Sequence, residues 1–498
     1  DPSQAADETQ PKTRRRDIST HVLGGLDLFM GEDGSAYAVC PLGGQRREVM
    51  PIGGRAFELY LRSVALDRHG AVISKASLQN AVDTADVRAR NSGEVHRVWR
   101  RVAEGDDGAI YWDLGGADPH GERGAVRITD RGWAVVEPGD VPVHFVRAAD
   151  ALPLPRPEVA AASWGDLGEI INGESEDDLL LSLAFLVAGL RPHRARGGYP
   201  VVSFTGPAGS GKSTASIYAH LLSDPSSVTL LNLSDDPRDY PPILASRHFT
   251  SFDNLSGCSN VISDLLARTA TSAVWAGRRL NTNGELFAVR MQNPVILNGI
   301  PETLGRLDLQ ERTLTIRLAR IERRRSDSEI EANFMRLRPG LLGLLCDGLS
   351  AALRNLATTP VPEGIRMADA AQWAEAAASG LGIEPGRITA AWRANRTAMQ
   401  RAALEVDDVA RAVVALMDKR QQDTGAAEWR GEPTELYRLL CELAGERVTR
   451  MKDWPSRAAG MANHFRRIGS ALREVHGIEV INGKGGRDST RWWSVRRV

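Results

Sequence analysis

The octapeptide GPAGSGKS, residues 206–213, matches the pattern G-x-x-x-x-G-K-[ST] and is here called the glycine loop. An apolar run, VVSFT at 201–205, precedes it, and a stretch of helical character follows at 212–222. Glycines let such a loop wrap backbone N–H groups around phosphates, and the helix N-terminus adds its positive dipole. The alternative is a glycine-rich turn with a solvated lysine, but the flanking strand and helix favour a phosphate-binding loop.

The ligand expected at this loop is ATP with Mg²⁺. Lys212 is predicted to reach the β- and γ-phosphates, and Ser213 is predicted to bind the metal ion. The residues predicted to contact the nucleotide are Gly206, Pro207, Ala208, Gly209, Ser210, Gly211, Lys212, Ser213 and Thr214.

Asp253 closes the strand-like run HFTSFD at 248–253 and is predicted to be the second metal-binding residue. The distance along the chain allows its strand to neighbour the strand before the glycine loop. The alternative role is a helix-capping aspartate. Asn254 stands where nucleotide hydrolases usually carry a water-activating glutamate, so the base must come from elsewhere. The candidates are Asp235, Asp236 and Asp264.

Asn298 ends the apolar run PVILN and could position a water near the γ-phosphate, as sensor residues do in oligomeric ATPases. Its alternative role is a turn before Gly299. Arg312, at the start of the last predicted strand, is the first candidate for an arginine that enters a neighbouring subunit's site. Arg306 is the second candidate, and for both the alternative is a surface salt bridge.

Two regions could contact DNA. In RRLNTNGELFAV the pair Asn283-Gly284 predicts a hairpin, where Arg278, Arg279 and Arg290 could meet a phosphate backbone, unless the hairpin only packs on another subunit. Residues 447–498 hold twelve Lys or Arg and four Asp or Glu in a helix–helix–hairpin order typical of a winged helix. A winged helix can also bind protein. The predicted DNA contacts there are Arg457, Asn463, Arg466, Arg467, Lys484 and Arg487, and the predicted packing stripe is Ala458, Met461, Phe465, Ile468 and Leu472. Trp492 and Trp493 are interpreted as core of the wing.

The composition is that of a soluble globular protein with 42% apolar and 25% charged residues and a formal net charge of −1. DNA affinity must therefore be local. Four scattered cysteines give no zinc or disulfide pattern, which favours the cytoplasm. The longest apolar run, 179–190, is too short to span a bilayer and is predicted to be a buried helix capped by Ser175 and Asp178.

The elements that must position these residues follow from the order of strand-like and helical stretches. Alternating strands and helices predict an α/β core with a parallel sheet, preceded by an α+β domain and followed by helices and a winged helix. The predicted units are a disordered lead-in at 1–19, an α+β accessory domain at 20–150, an ATPase core at 159–320, a helical collar at 328–420 and a winged helix at 433–498. Segments 150–158 and 421–433 are interpreted as linkers.

The runs GPAGSGKST, FDNLSG, RRLNTNGELFAVRMQNPVILNGI and LDLQERTLTIRL resemble the ATPase module of phage and plasmid primase–helicase proteins, close to the superfamily 3 and AAA+ helicases. The resemblance is strong over roughly 165–420. It implies an oligomeric, hexameric, ATP-driven DNA motor with the roles given above for Lys212, Ser213, Asp253, Asn298 and Arg312. The hairpin sequence LNTNGE departs from the family, whose members typically carry a tyrosine and a run of acids there. The alternative is a DNA-bound regulator or defence ATPase that assembles with nucleotide but does not unwind DNA.

Overall fold

The structure is a computed structural model that describes residues 23–498 except 45, 71, 116–123, 193–196, 235, 256–258, 279–285, 300–306, 452–453 and 486–489. The predicted lead-in at 1–19 therefore lies outside the described residues. In the first part of the chain the described α-helices and strands are β1 Asp27–Gly31, β2 Ala36–Gly43, β3 Arg46–Pro51, α1 Arg55–His69, α2 Lys75–Asn91, β4 Val95–His96, β5 Val98–Trp99, β6 Val102–Glu104, β7 Ile110–Asp113, β8 Ala125–Thr129, β9 Gly132–Val136 and β10 His144–Phe145.

Eight of these ten strands form two separate four-stranded sheets, and the other two, β5 and β10, pair parallel with each other. The first has the order β3-β2-β1-β4 and packs against α1 and α2, and the second is the antiparallel meander β6-β7-β8-β9. Helix α1 ends at the left-handed Gly70, and α2 begins at the Ser74 cap.

The middle part of the chain forms the predicted parallel sheet. Its elements are α3 Glu176–Gly189, β11 Val201–Thr205, α4 Lys212–Ser223, β12 Leu231–Asn232, α5 Tyr240–Ser246, β13 Thr250–Leu255, α6 Asn260–Thr271, β14 Ala273–Arg278, β15 Leu286–Met291, β16 Val295–Gly299, α7 Leu307–Gln310 and β17 Thr313–Arg317. The strand order is β12-β13-β16-β11-β17, and every pairing in this sheet is parallel. Helix α3 is capped as predicted, with Ser175 and Asp178 in a reciprocal capping box.

The last part of the chain is helical and ends in a small sheet. Its elements are α8 Asp327–Asn355, α9 Ala368–Ala376, α10 Arg387–Val406, α11 Asp408–Thr424, β18 Glu428–Gly431, α12 Pro433–Ala444, α13 Glu446–Thr449, α14 Ala458–His476, β19 Ile478–Gly485 and β20 Thr490–Arg497. The three strands pair antiparallel in the order β18-β20-β19.

Both predicted linkers take part in folded structure. Between 150 and 158, the side chain of Leu154 is buried, and the backbone N–H of Glu158 donates to the Pro339 carbonyl at 2.9 Å. Between 421 and 433, β18 adds a third strand to the C-terminal sheet, and its Trp429 is buried. The prolines and glycines in these segments predict irregular structure, but tertiary packing holds both segments against the neighbouring folded elements.

Candidate functional site

The glycine loop runs from the carboxyl end of β11 to the first turn of α4, as the sequence predicts. Gly211, which precedes α4, has a φ of 86°, in the left-handed region that favours glycine. Gly206 has a φ of 152°, and a Cβ there would lie 2.7 Å from the Leu318 carbonyl oxygen. The loop thus needs glycine at these positions both for its backbone conformation and for its contact with the segment after β17.

The side chain of Lys212 folds back over the glycine loop. Its Nζ donates to the carbonyl oxygens of Gly206 and Pro207 at 2.9 and 3.0 Å. The ammonium group therefore lies against the same loop whose N–H groups would face phosphates, and it is supplied by the first residue of α4.

The two predicted metal-binding residues lie together. The Ser213 hydroxyl is 3.3 Å from a carboxylate oxygen of Asp253, which lies near the carboxyl end of β13. The expectation that the strand of Asp253 neighbours β11 is wrong, because β16 lies between β13 and β11. Ser213, in the first turn of α4, nevertheless contacts Asp253 across the intervening strand β16. Among the described residues no group of three His, Cys, Asp or Glu side chains forms a metal-binding cluster.

Asn298 lies on the intervening strand, β16, in register with Phe204 of β11. It is buried, and its side-chain amide is 3.5 Å from the Ser216 hydroxyl of α4. The strand order thus places Asn298 between the loop strand and the strand of Asp253, at the same edge of the sheet. This is a position from which an amide could orient a water molecule next to a phosphate.

Arg312 lies at the opposite edge of the sheet. Its carbonyl accepts from the N–H of Val201, the first residue of β11, whereas the glycine loop follows the last residue of that strand. Five strand residues span roughly 15 Å. The Arg312 side chain is 8% exposed and is paired with Asp308 of α7. It precedes β17 rather than beginning it, and it does not join the other site residues. Arg306 lies outside the described residues.

A basic segment after β17 lies against the glycine loop and was not singled out from the sequence. A Cβ on Gly209 would be 3.2 Å from a guanidinium nitrogen of Arg324, and one on Gly211 would be 3.4 Å from the Ile321 side chain. The run RIERRR at 320–325 was the available signal. Charge runs are usually solvated surface, and nothing in the sequence indicates that this one returns to a loop more than a hundred residues earlier.

The candidate bases differ in their surroundings. Asp236 accepts from the Arg238 guanidinium and backbone N–H, which together lower its pKa to about 2, and a carboxylate that holds protons so weakly is a poor base. Asp264 is half-buried on α6. Asp235 lies outside the described residues.

The predicted hairpin between Asp253 and Asn298 is present. Strands β14 and β15 pair antiparallel from Ala273↔Met291 to Arg278↔Leu286. Arg278 ends β14, and Arg290 is exposed on β15. Arg279 and the Asn283-Gly284 turn lie outside the described residues.

The C-terminal basic residues lie on the face of α14 that its core does not use. Met461, Phe465, Ile468 and Leu472 are buried as predicted, and Ala458 is half-buried. Arg457, Asn463, Arg466 and Arg467 are exposed, as is Lys484 on β19, while Arg487 lies outside the described residues. Trp493 packs on Phe465 with ring centroids 5.0 Å apart, which confirms its core assignment. Trp492 is instead half-buried on the other face of the sheet, with the Arg430 guanidinium 4.1 Å above its ring.

These elements define a mixed α/β protein whose parallel sheet carries a glycine loop, an aspartate and an asparagine at one edge. The family model described as "Actinomycete integrative conjugative element replication protein" matches residues 166–398, and the model of the RepA C-terminal domain from the same elements matches residues 409–498. Over these two ranges the chain is similar to the RepA replication proteins of actinomycete integrative conjugative elements. That agrees with the resemblance to mobile-element replication proteins seen in the sequence.

Individual proteins are less similar to this chain than the family models are. No curated protein matches the chain. Among solved structures, the apo structure of the NrS-1 C-terminal region has a TM-score of 0.41 at 10% identity, covering 98% of this chain and 100% of that one. Its A form has a TM-score of 0.41 at 10% identity, covering 97% and 98%. Within the described residues, no helix is long and apolar enough to cross a membrane.

Proposed function

We propose that this replication protein is an ATP-dependent DNA motor of the replicative helicase type. The observation that carries the proposal is the contact between Ser213 and Asp253 beside the glycine loop, with Asn298 on the strand between them. A hydroxyl and a carboxylate from the protein, completed by phosphate oxygens and water, are the usual environment of Mg²⁺ in a nucleoside triphosphate site. Lys212 would neutralise the phosphates, and Asn298 would orient the attacking water.

DNA binding is assigned to the C-terminal unit, which we interpret as a winged helix. Exposed Arg466 and Arg467 lie on α14 outside its buried apolar stripe, and exposed Arg457 directly precedes that helix. The β19–β20 hairpin would be the wing. Arginines on one face of a helix are suited to phosphate contacts along a groove. The β14–β15 hairpin, inserted before the strand of Asn298, would supply a second DNA contact.

Assembly into a ring, expected to be a hexamer, is part of the same proposal. It is supported by the sequence resemblance and by the place of the hairpin, which in such rings lines the central pore. The protein would act on single-stranded or forked DNA in the cytoplasm.

The test is steady-state ATP hydrolysis by the wild type and Lys212→Ala, with and without single-stranded DNA. Removal of the ammonium group should abolish turnover, because no other described lysine lies at the loop. Lys419→Ala, an exposed lysine of α11, is the matched control and should hydrolyse ATP like the wild type. Strong stimulation by DNA, lost in Lys212→Ala only, supports the motor, and displacement of a strand from a forked substrate would then show unwinding.

A DNA-bound switch is the second candidate, favoured by Asn254, which follows Asp253 where hydrolases usually carry a glutamate. A switch would bind ATP tightly and assemble on DNA, but would show negligible turnover with or without DNA. That result would exclude the motor while leaving the nucleotide site intact.

A further inference from the structure

We propose that Arg324 binds the nucleotide phosphates from within the same subunit, so that this site receives an arginine in cis. The inference rests on the proposed nucleotide site and adds to it a residue that neither the sequence pattern nor the family match assigns. The chain after β17 returns across the glycine loop and brings Arg324 to it.

The segment that carries Arg324 is fixed at its start. The N–H of Leu318 donates to the Thr205 carbonyl at 2.8 Å, which extends the pairing of β17 with β11 to the residue just before the glycine loop. The N–H of Ala319 donates to the Asn172 carbonyl at 3.0 Å, and the Asn172 amide donates to the Ala319 carbonyl at 2.7 Å. Backbone and side-chain hydrogen bonds therefore hold the first residues of the segment at the base of the loop.

The segment is fixed at its end as well. Arg325 donates to the Glu169 carbonyl at 3.0 Å and lies 3.4 Å from the Glu169 carboxylate. Ser326 then forms a capping box with Glu329 at the start of α8. Five residues, 320–324, thus bridge the anchored Ala319 and Arg325, and among them Ile321 and Arg324 face the glycine loop.

The position of Arg324 is set by the loop itself. A guanidinium nitrogen lies 3.2 Å from the place where a Cβ on Gly209 would be, in the middle of the run that would surround the phosphates. The side chain is exposed, and no carboxylate among the described residues pairs with it, in contrast to Arg325. A guanidinium held at a loop of backbone N–H groups adds a permanent positive charge and planar donors that match phosphate oxygens.

Arg312 strengthens the inference by its position. It lies at the amino edge of the sheet, buried and paired with Asp308, so supplying it to any phosphate would require breaking that ion pair and exposing a buried guanidinium. Arg324 requires no such rearrangement, because it already lies at the loop.

The first experiment measures the affinity of the full-length protein for a fluorescent ATP analogue. Arg324→Ala should weaken binding by about tenfold to a hundredfold, the loss expected for a charge-assisted hydrogen bond. Arg324→Lys should recover part of it, since the charge returns without the planar donors. Arg323→Ala, an exposed arginine one residue earlier, is the matched control and should bind like the wild type.

Lys212→Ala distinguishes failure of the Arg324 assignment from failure of the proposed nucleotide site. If it loses affinity and Arg324→Ala does not, the inference is overturned and the proposed nucleotide site stands. If neither variant loses affinity, the proposed site itself fails and the inference fails with it. As a control for folding, Arg324→Ala should have the same midpoint of thermal unfolding as the wild type.

A subunit-mixing experiment tests the assignment in cis. Lys212→Ala and Arg324→Ala are each expected to hydrolyse ATP poorly. If both residues serve the same site, mixed assemblies contain only sites impaired by one substitution or the other and stay as slow as the separate variants. If Arg324 instead served the neighbouring subunit, some interfaces in the mixture would combine an intact Lys212 with an intact Arg324, and recovered hydrolysis would overturn the inference.

Discussion

At the scale of single residues, the Ser213–Asp253 pair determines what the glycine loop can hold. A carboxylate next to a hydroxyl favours a hard cation such as Mg²⁺, whereas the loop and Lys212 favour phosphate. The 3.3 Å separation leaves the two oxygens close enough to share one ion without any movement of α4 or β13. The negative charge of Asp253 is therefore the property of this pair on which Mg²⁺ binding should depend most.

Asp253→Asn is expected to lower Mg²⁺-dependent ATP hydrolysis by about a hundredfold or more, because an amide of the same shape cannot balance the charge of the metal ion. Hydrolysis rates measured across a Mg²⁺ titration check this. The control is Asp236→Asn, whose carboxylate is engaged by Arg238 and held at a pKa of about 2. It should leave the rate near that of the wild type, and a comparable loss there would instead identify Asp236 as the base.

Some site residues could be predicted from the sequence and others could not, for a physical reason. The glycine loop, its lysine and the capping box of α3 are local patterns, in which a few neighbouring residues fix both conformation and chemistry. The burial of Arg312 and the approach of Arg324 to Gly209 depend on how β17 and its following segment pair with β11. Parallel pairing joins distant parts of the chain, so composition near either arginine carries little information about it.

At the scale of elements, the insertion of β16 between β13 and β11 is what brings Asn298 into the site. The run PVILN and its terminal asparagine identify a buried strand, but not its neighbours. The hairpin β14–β15 lies in the chain directly before that strand, so movement of the hairpin and orientation of Asn298 are connected through one short turn. This would connect the proposed DNA-contacting hairpin directly with the proposed catalytic water.

The end of α4 carries a buried histidine with a predictable pH effect. The ring nitrogens of His220 lie 2.9 Å from the Ser226 and Ser251 hydroxyls, and burial lowers its pKa from 6.5 to about 4. The folded state therefore holds it neutral, and its contribution to stability is complete above pH 6.5 and is lost as the pH falls towards 4. That contribution amounts to about 3 kcal/mol for a shift of this size.

His220→Gln should flatten this part of the pH dependence, because glutamine cannot take up the proton but keeps a hydrogen-bonding group. Urea denaturation followed by circular dichroism between pH 6.5 and 4 measures the change. Wild-type stability should fall more steeply than that of the variant, although His248, whose pKa burial also lowers, leaves some slope in both. Equal slopes would contradict the neutral, buried state of His220.

One face of α14 packs in the C-terminal core, and the other is the face proposed to contact DNA. Arg466→Ala is expected to leave thermal stability nearly unchanged but to weaken DNA binding and reduce the dependence of log affinity on log salt by about one. Arg438→Ala, an exposed arginine of α12 paired with Glu442, is the control and should alter neither. Fluorescence anisotropy with labelled DNA over a salt series provides the measurement, and unchanged binding by Arg466→Ala would favour a protein-binding role for this unit.

At the scale of the whole molecule, the N-terminal sheets are joined to the core by buried charge. Arg101, 1% exposed, donates to the Asp224 carboxylate at 2.7 Å, and that carboxylate also accepts from the N–H groups of His248 and Phe249 before β13. Burial alone would raise the pKa of Asp224, but Arg101 and His220 outweigh it and hold the pKa below its usual value. The end of α4, the start of β13 and the antiparallel meander β6–β9 are thus held together by one carboxylate.

The hydrophobic cores suggest a different division of the chain near its end. Val409, Val413 and Met417 of α11, with Leu404 at the end of α10, belong to the same buried cluster as Phe465 and Trp493. Helix α11 therefore packs with the C-terminal unit rather than only with the preceding helices. The sequence marked 421–433 as a linker because it is polar and rich in glycine, but the apolar face of α11 has its partners after that segment. Residues 409–498 are also the range matched by the C-terminal family model.

A fragment beginning at residue 404 should therefore fold alone, whereas one beginning at 433 should not, because the shorter fragment lacks α11 and β18 and exposes the surface they cover. Circular dichroism with thermal melting, and the dispersion of amide signals in NMR spectra, distinguish a cooperative fold from a collapsed chain. The longer fragment should also retain salt-dependent DNA binding, since Arg457, Arg466 and Arg467 are held on or directly before α14 by that complete core. Cooperative folding of the fragment from 433 would show instead that residues 433–498 form an independent domain on which α11 only packs. The domain boundary would then lie where the sequence predicts it.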